Sequence, residues 1–364
     1  MNVKTLPVVA YDRERHEPAL KRFTEKVLGA DVCARRQRVI DTYHERMPGR
    51  ERAPLRHVLM DGDIVAGTLG HMPVDFLVGG KRIASRYTHD LLVDPEYRGG
   101  GLGKVIVGYA RELGDFYPGG MWMTGACWKI HQSMGFDDVA ELVTYTAVLD
   151  PASFTSRRGF SPIKAAVGRA GLSVKRIQAL ARARKTLETA HSKLSNVKRM
   201  DPALDAAWLE LARTYDVTRV RDAAYVNWKY AEHPVLDYRV IIATKDGKPL
   251  GYMIWRPAPA GFAEQRAVIA DFLVARGDTR TLEELLSRVL IDVSDSGIDA
   301  VAAISTQEFA VNALQKLGFV AGGSRNAWVI ANWKDVMPAE WVKDLERWHM
   351  CLGDSDGDQW TGSM

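Results

Sequence analysis

Short apolar runs broken by glycine turns alternate along this chain with stretches whose apolar residues recur every three or four positions. These are the two patterns of strands and amphipathic helices. Residues 57–60 (HVLM) and 64–69 (IVAGTL) flank Asp61-Gly62, a hairpin signal, and residues 240–244 (VIIAT) and 249–255 (PLGYMIW) repeat it about Asp246-Gly247. Met134-Gly135-Phe136 ends one helical stretch and Leu317-Gly318-Phe319 ends another. The hairpins are 185 residues apart (246 against 61) and the Gly-Phe pairs 183 apart (318 against 135), so two separate landmarks predict a duplicated domain. In the first half the pattern predicts helices near 17–28, 31–44, 102–114 and 127–134. It predicts strands near 57–60, 64–71, 74–78, 82–93, 121–125 and 142–149. That order predicts an α/β fold in which each half is a mixed, mostly antiparallel sheet with helices on both faces.

The length of 364 residues agrees with two domains. We expect them at 1–150 and 200–340, with a connector at 151–199 and a tail at 341–364. Hydrophobic residues at 46% and charged residues at 26% exclude a disordered or membrane-embedded chain. No apolar stretch has the length of a signal peptide or a membrane span, which predicts a cytoplasmic protein. Cys33, Cys127 and Cys351 are odd in number and lack metal-ligand spacing, so neither a disulfide framework nor a metal site is expected. The net charge of +4 is unevenly spread: Arg157 to Arg199 holds twelve Lys/Arg against Glu188 alone, or +11, which leaves −7 elsewhere. Val174, Ile177, Leu180, Leu187 and Leu194 fall there at helical spacing and predict a basic helical linker docked through one apolar stripe. Sparse aromatics and the apolar stripe argue against nucleic acid as its partner.

The densest chemical signal is Tyr87-Thr-His-Asp-Leu-Leu-Val-Asp-Pro-Glu-Tyr-Arg-Gly-Gly-Gly-Leu-Gly-Lys104. An apolar strand ends at Val93, Pro95 breaks it, and a glycine-dense turn opens a helix near Leu102. Glycines let several amides converge, and a helix N-terminus adds partial positive charge, so a diphosphate suits this turn. Arg98 and Lys104 can add charge-assisted contacts. The spacing R-x-x-G-x-G, filled by Arg98, Gly101 and Gly103, resembles the acetyl-CoA loop of the GNAT superfamily of N-acyltransferases. Thr124 to Phe136 is similar to that family's second signature, and the likeness covers about residues 50–149.

The resemblance implies tandem GNAT-like domains and acetyl-CoA or another acyl-CoA as co-substrate. It implies that Leu91, Leu92 and Val93 offer backbone to the pantetheine arm, and that Gly99, Gly100, Gly101, Leu102 and Gly103 hold the pyrophosphate together with Arg98 and Lys104. Alternation puts Tyr87, His89, Leu91 and Val93 on one face and Asp90 on the other. His89 is the candidate base, with Tyr87 beside it, and Asp90 would replace it if the register were shifted. His131 stands where the family places a tyrosine acid. It serves as that acid or, alternatively, faces solvent near a helix end. The second half reads Ala275-Arg-Gly-Asp-Thr-Arg-Thr-Leu282 where a loop should stand, so a second CoA site is not expected. Tyr225-Val-Asn-Trp-Lys-Tyr230 with His233-Pro234 resembles an element of two-domain GNAT proteins of bacterial surface-polysaccharide assembly. The expected acceptor is a primary amine of a small molecule, such as an amino sugar or its nucleotide-linked form. An arylalkylamine, antibiotic amine or aminoacyl acceptor, or a non-catalytic CoA-binding role, stays open, as does the oligomeric state. Gly353-Asp-Ser-Asp-Gly-Asp358 lacks the glutamate of a calcium loop and is expected to be a mobile acidic terminus.

Overall fold

Both hairpin signals close tight two-residue turns, each by a different backbone solution. At the first, Asp61 pairs with Ile64 and Gly62 has φ 60, so glycine takes the leading turn position. At the second, Lys245 pairs with Lys248, and Asp246 (φ 50) and Gly247 (φ 77) are both left-handed. That is the Asp-Gly form of a type I′ turn. The computed structural model describes residues 6–34, 43–112, 125–157, 161–257, 266–332 and 334–355. Residues 121–124 of the expected strand and most of the helix expected at 31–44 lie outside the described residues, and Gly125 already opens a helix. Two units separate: Met1–Ala140 with Glu232–Val235 and Ala327–Asp344, and Glu141–Ala231 with Leu236–Asn326 and Leu345–Met364.

In the first unit β1 (Val8–Ala10) is followed by α1 (Arg13–Leu28), then β2 (Arg56–Asp61), β3 (Ile64–Val78) and β4 (Lys81–Val93). The strands pair antiparallel in the order β1-β2-β3-β4. The runs expected at 64–71 and 74–78 are one strand continuing through Pro73. Asp12 caps α1 by accepting from the Arg15 amide at 2.9 Å, and the helix buries Leu20 and Phe23 against Val58 and Val65 on one sheet face. On the other face α2 (Leu102–Glu112) buries Leu102 and Ile106 against Leu59, Ala66 and Leu69. The short α3 (Gly125–Gln132) packs Ile130 and Trp128 beside Val107 and Phe136.

β5 (Asp137–Val148) enters the second unit, followed by α4 (Pro162–Glu188), β6 (Lys193–Val197), β7 (Val217–Arg219), β8 (Arg239–Lys245), β9 (Lys248–Arg256) and β10 (Arg266–Val274). Next come α5 (Thr279–Asp295), β11 (Ala300–Ala303), α6 (Glu308–Lys316), β12 (Val320–Ile330) and β13 (Trp348–His349). Its sheet runs β12-β5-β11-β10-β9-β8-β6, with β10–β11 parallel. Asp278 caps α5, which turns Leu282, Leu285, Leu286, Val289, Leu290 and Val293 into the sheet at helical spacing. Each of these fully buried side chains contributes about 2 kcal/mol of transfer free energy.

The basic helix differs from its expectation. Residues 151–199 fall inside the second unit. α4 buries Ala179, Leu180 and Ala183, close enough to the Leu317-Gly318 turn that a Cβ on Gly318 would lie 2.8 Å from that of Ala179. Val174 and Ile177, expected to dock with Leu180, point into solvent. The small side chain of Ala179 allows the close approach of the helix to this turn. The acidic tail is also corrected: Gly353, Asp354 and Ser355 are buried, and residues 356–364 lie outside the described residues.

Candidate active site

The glycine loop of the first unit is pinned on one side and open on the other. Asp94 caps the turn Pro95–Tyr97, accepts from the Glu96 amide at 3.0 Å and pairs with Lys26 at 2.8 Å. Tyr97 donates its hydroxyl proton to Asp61 at 3.0 Å, and Arg98 donates from Nε to the Val93 carbonyl at 3.1 Å. The chain then turns through Gly99 (φ 84) and Gly101 (φ 78), left-handed positions that favour glycine, with open space around each. Among the described residues, none of the amides from Gly99 to Gly103 donates a backbone hydrogen bond. They stand at the N-terminus of an 11-residue helix, where an anion is stabilised by the amides and the helix dipole. Gly103 has a separate reason to be glycine, because a Cβ there would meet Ile130 Cδ1 of α3 at 2.7 Å.

β4 carries one more residue than its partner where Thr68 pairs with Leu92 and Gly70 with His89, and Asp90 takes φ 53 at this bulge. The extra residue breaks the alternation expected of Tyr87, His89, Leu91 and Val93. Leu91 and Val93 pack with Leu102 and Ile106 under α2, whereas Leu92 packs with Leu20 and Phe23 under α1. His89 pairs across from Gly70, and its ring lies over that glycine: a Cβ on Gly70 would sit 2.3 Å from His89 Cε1. Asp90 is likewise corrected. Its left-handed backbone brings Oδ2 to 3.3 Å from His89 Nδ1, and the buried Arg56 holds the same oxygen at 3.5 Å. A carboxylate beside Nδ1 favours the tautomer with its proton there, which leaves the lone pair on Nε2, and Nε2 has no hydrogen-bond partner among the described residues. A buried imidazole oriented by a carboxylate has the arrangement of a general base.

Sequence reasoning missed His44. Its ring meets the His89 ring edge-on at 4.7 Å between centroids, and Tyr43 beside it lies 4.8 Å from the His233 ring. Burial, reinforced by His89, pushes His44 well below the ordinary histidine range, so it stays neutral. It stands 45 residues before His89 in a turn of its own, and no local spacing marks it. Tyr87 is buried with its ring 6.3 Å from that of Phe76. His131 is buried in α3, not solvent-facing; Nδ1 lies 2.8 Å from the Cys127 carbonyl, and burial lowers its pKa. A carbonyl only accepts, so Nδ1 holds the proton of the neutral ring.

The second unit repeats the bulge, and there described residues of the chain pack against it. β10 gains a residue between Ile269 and Asp271, and its pairing with β11 covers only Arg266–Val268. The chain's own C-terminal segment lies against this bulge: a Cβ on Gly353 would lie 2.8 Å from the Ala270 carbonyl. Arg221 donates to Asp271 at 2.9 Å and to Asp354 at 2.7 Å, and Lys229 donates to the Gly353 and Ser355 carbonyls. Burial pushes Asp271 up, while at Asp354 the guanidiniums of Arg221 and Arg219 overcome burial and hold the carboxyl down. Lys229 and Tyr230 of the Tyr225–Tyr230 motif serve this packing, and Asn227 binds Met200. Asp271, His349 and Cys351 bring donor atoms within 4.8 Å. Arg221 already binds Asp271, the His349 Nε2 proton goes to the Phe272 carbonyl at 2.7 Å, and burial pushes the Cys351 thiol far up. This trio is packed polar structure.

No described helix is long and apolar enough to cross a membrane. No family model and no curated protein matches the sequence. Solved structures do match in fold. A GCN5-related N-acetyltransferase from Anabaena variabilis superposes with a TM-score of 0.59 at 13% identity, over 89% of this chain and 72% of that one. One from Kribbella flavida gives 0.54 at 15%, over 90% and 72%. Saccharomyces cerevisiae N-myristoyltransferase with bound myristoyl-CoA gives 0.54 at 12%, over 90% and 83%. With its two sheets, the bulged strand and the glycine turn, this chain has the fold of the GCN5-related N-acetyltransferases in tandem form.

Proposed function

We propose that the first unit transfers an acyl group, acetyl by default, from acyl-CoA to a primary amine of a small molecule. The observation that carries this reading is the row of unengaged amides from Gly99 to Gly103 at the start of α2, one bulge away from a buried histidine. These amides, with Arg98 and Lys104, hold the diphosphate. The strand Leu91–Val93 borders the pantetheine arm.

The amine nitrogen forms the new C–N bond to the thioester carbonyl, and its proton passes to His89 Nε2. Asp90 orients the ring and stabilises the imidazolium through Nδ1. The C–S bond breaks and the thiolate leaves with the sulfur's electron pair. A neutral His131 with its proton tied to Cys127 does not supply the acid at neutral pH, so the thiolate takes its proton from water or from the protonated His89. Tyr87 shapes the wall behind His89. An amino sugar is the first acceptor to try, ahead of arylalkylamines, antibiotic amines and aminoacyl compounds. Its support is the Tyr225–Tyr230 likeness alone.

The test is calorimetry with CoA followed by a screen of acyl-CoA donors against amine libraries, reading the thiol released. One CoA per chain and amine-dependent thiol release are expected. CoA binding with no amine-dependent release for any amine class would favour the non-catalytic reading.

A further inference from the structure

The longest helix among the described residues of the second unit presents two apolar faces, and among those residues only one face is covered. α4 buries Leu180 and Ala183 in the unit's own core, and Ala179 is buried on the same side of the helix. Turned away from them are Ile163, Val167, Val174 and Ile177, with exposures of 78%, 73%, 55% and 64%. With the exposed Ala170 and Ala181 they form one stripe at spacings of four and three residues, the seam of an amphipathic helix. From Ile163 to Ile177 it runs about 21 Å along the axis.

Between Ile163 and Ala181 the described cations lie beside this seam, and Lys185 falls on its line one turn beyond. At 100° per residue, the exposed Lys175 and Arg182 fall on one flank of the stripe and Arg169 and Arg184 on the other. Glu188, at the end of the helix, is the only acid between Arg157 and Arg199. Single apolar residues on a surface are ordinary, whereas four large ones in a row between two basic flanks are not.

We infer that this face of α4 docks on an anionic lipid bilayer, lying in the interface with its stripe among the acyl chains and its Lys and Arg heads at the lipid phosphates. Charge selects this occupant. A second copy of the chain would bring two segments of +11 together, and like charges on facing helices repel. A nucleic acid would satisfy the cations but leave the β-branched stripe in water. An anionic bilayer satisfies both. The inference stands apart from the proposed acyl transfer, since α4 holds none of the residues given a role in that reaction.

The experiment is flotation of the full chain with vesicles of phosphatidylcholine alone and of phosphatidylcholine with roughly one third phosphatidylglycerol. The chain is expected to float with the anionic vesicles only, less so as salt rises. The double substitution Val167→Asp and Ile177→Asp is expected to lower binding at least tenfold with the same thermal unfolding, since both side chains are exposed. Arg169→Glu with Lys175→Glu provides a second variant that leaves the stripe intact and is expected to reduce binding to a similar extent. No flotation with anionic vesicles, or flotation that survives the Asp variant, overturns the inference. So does a stable dimer in light scattering that the Asp variant dissociates, which would make a second copy the occupant. Duplex DNA binding that the Glu variant abolishes and the Asp variant retains would assign the face to nucleic acid instead.

Discussion

Lowering the pH should destabilise the first unit through a histidine pair that takes no part in the proposed chemistry. His57 on β2 and His71 on β3 face α2, with His57 Nδ1 2.7 Å from His71 Nε2 and the His57 ring 4.9 Å from that of Tyr109. Burial, with help from Arg86, pushes His57 down from 6.5 to about 4, and burial also holds His71 well below the ordinary histidine range. A histidine with a depressed folded pKa contributes stability above its unfolded pKa, because the unfolded chain binds no proton there either. Below pH 6.5 the unfolded state protonates while the folded one does not, and stability falls until pH 4 is passed. For His57 alone the full loss is about 3 kcal/mol at 1.36 kcal/mol per pH unit, of which about 2 kcal/mol is gone by about pH 5. Urea unfolding of the wild type and of His57→Gln, run in parallel at about pH 7.5 and about pH 5, isolates this contribution. Glutamine keeps a polar partner for His71 and cannot titrate. The wild type should lose about 2 kcal/mol more than the variant on acidification. Equal losses in the two proteins would refute the reasoning and show that His57 titrates alike folded and unfolded.

Three further outcomes follow from particular contacts. Gly100→Val should weaken CoA binding at least tenfold in calorimetry without unfolding the protein, because Gly100 has an ordinary φ and its Cβ would meet only the Tyr97 carbonyl, at 3.7 Å. It is a cleaner probe than Gly103, where Ile130 would also be displaced. Gly70→Ala should cut amine-dependent thiol release by ~10²–10⁴, as His89→Gln should, while CoA affinity stays within about twofold, because the new methyl takes the place of the His89 ring. Asp354→Asn should destabilise the second unit by about 3–5 kcal/mol in urea unfolding, since Arg221 loses one of two buried carboxylates.

What the sequence disclosed and what it concealed divide by range. The glycine loop was legible because Arg98 to Lys104 is contiguous and its conformational demands are local. The hairpins were legible for the same reason, as were the start of α2 and the apolar rhythm of α5. The bulge was not: one inserted residue reverses the facing of every side chain after it, and the only mark is an aspartate, a residue that tolerates the left-handed region. Alternation therefore placed His89 with Leu91 and Asp90 against both, whereas the fold groups His89 with Asp90. His44, Arg56 and Gly70 join that group through sheet pairing and a turn, contacts that carry no sequence period. The burial of the tail leaves no local mark, because Asp354 meets Arg221 across 133 residues. For α4 the sequence held both apolar faces, and only the fold decides which of them is buried.

The two bulges connect these findings. Each unit inserts one residue into its strand before the helix, at Asp90 in β4 and around Ala270 in β10. An inserted residue interrupts the ladder and leaves backbone groups seeking partners. In the second unit the chain fills the space itself: Gly353 packs on the Ala270 carbonyl, and Asp354 closes on Arg221. The loop that would hold a diphosphate is absent there as well, so the lost loop and the inserted tail agree. In the first unit the loop amides are unengaged and the bulge faces the buried histidines. Duplication supplied two copies of one backbone feature. In the second unit the bulge contributes to packing, whereas in the first it stands beside the residues to which we assign the proposed acyl transfer. A single equivalent of CoA per chain is what this division demands.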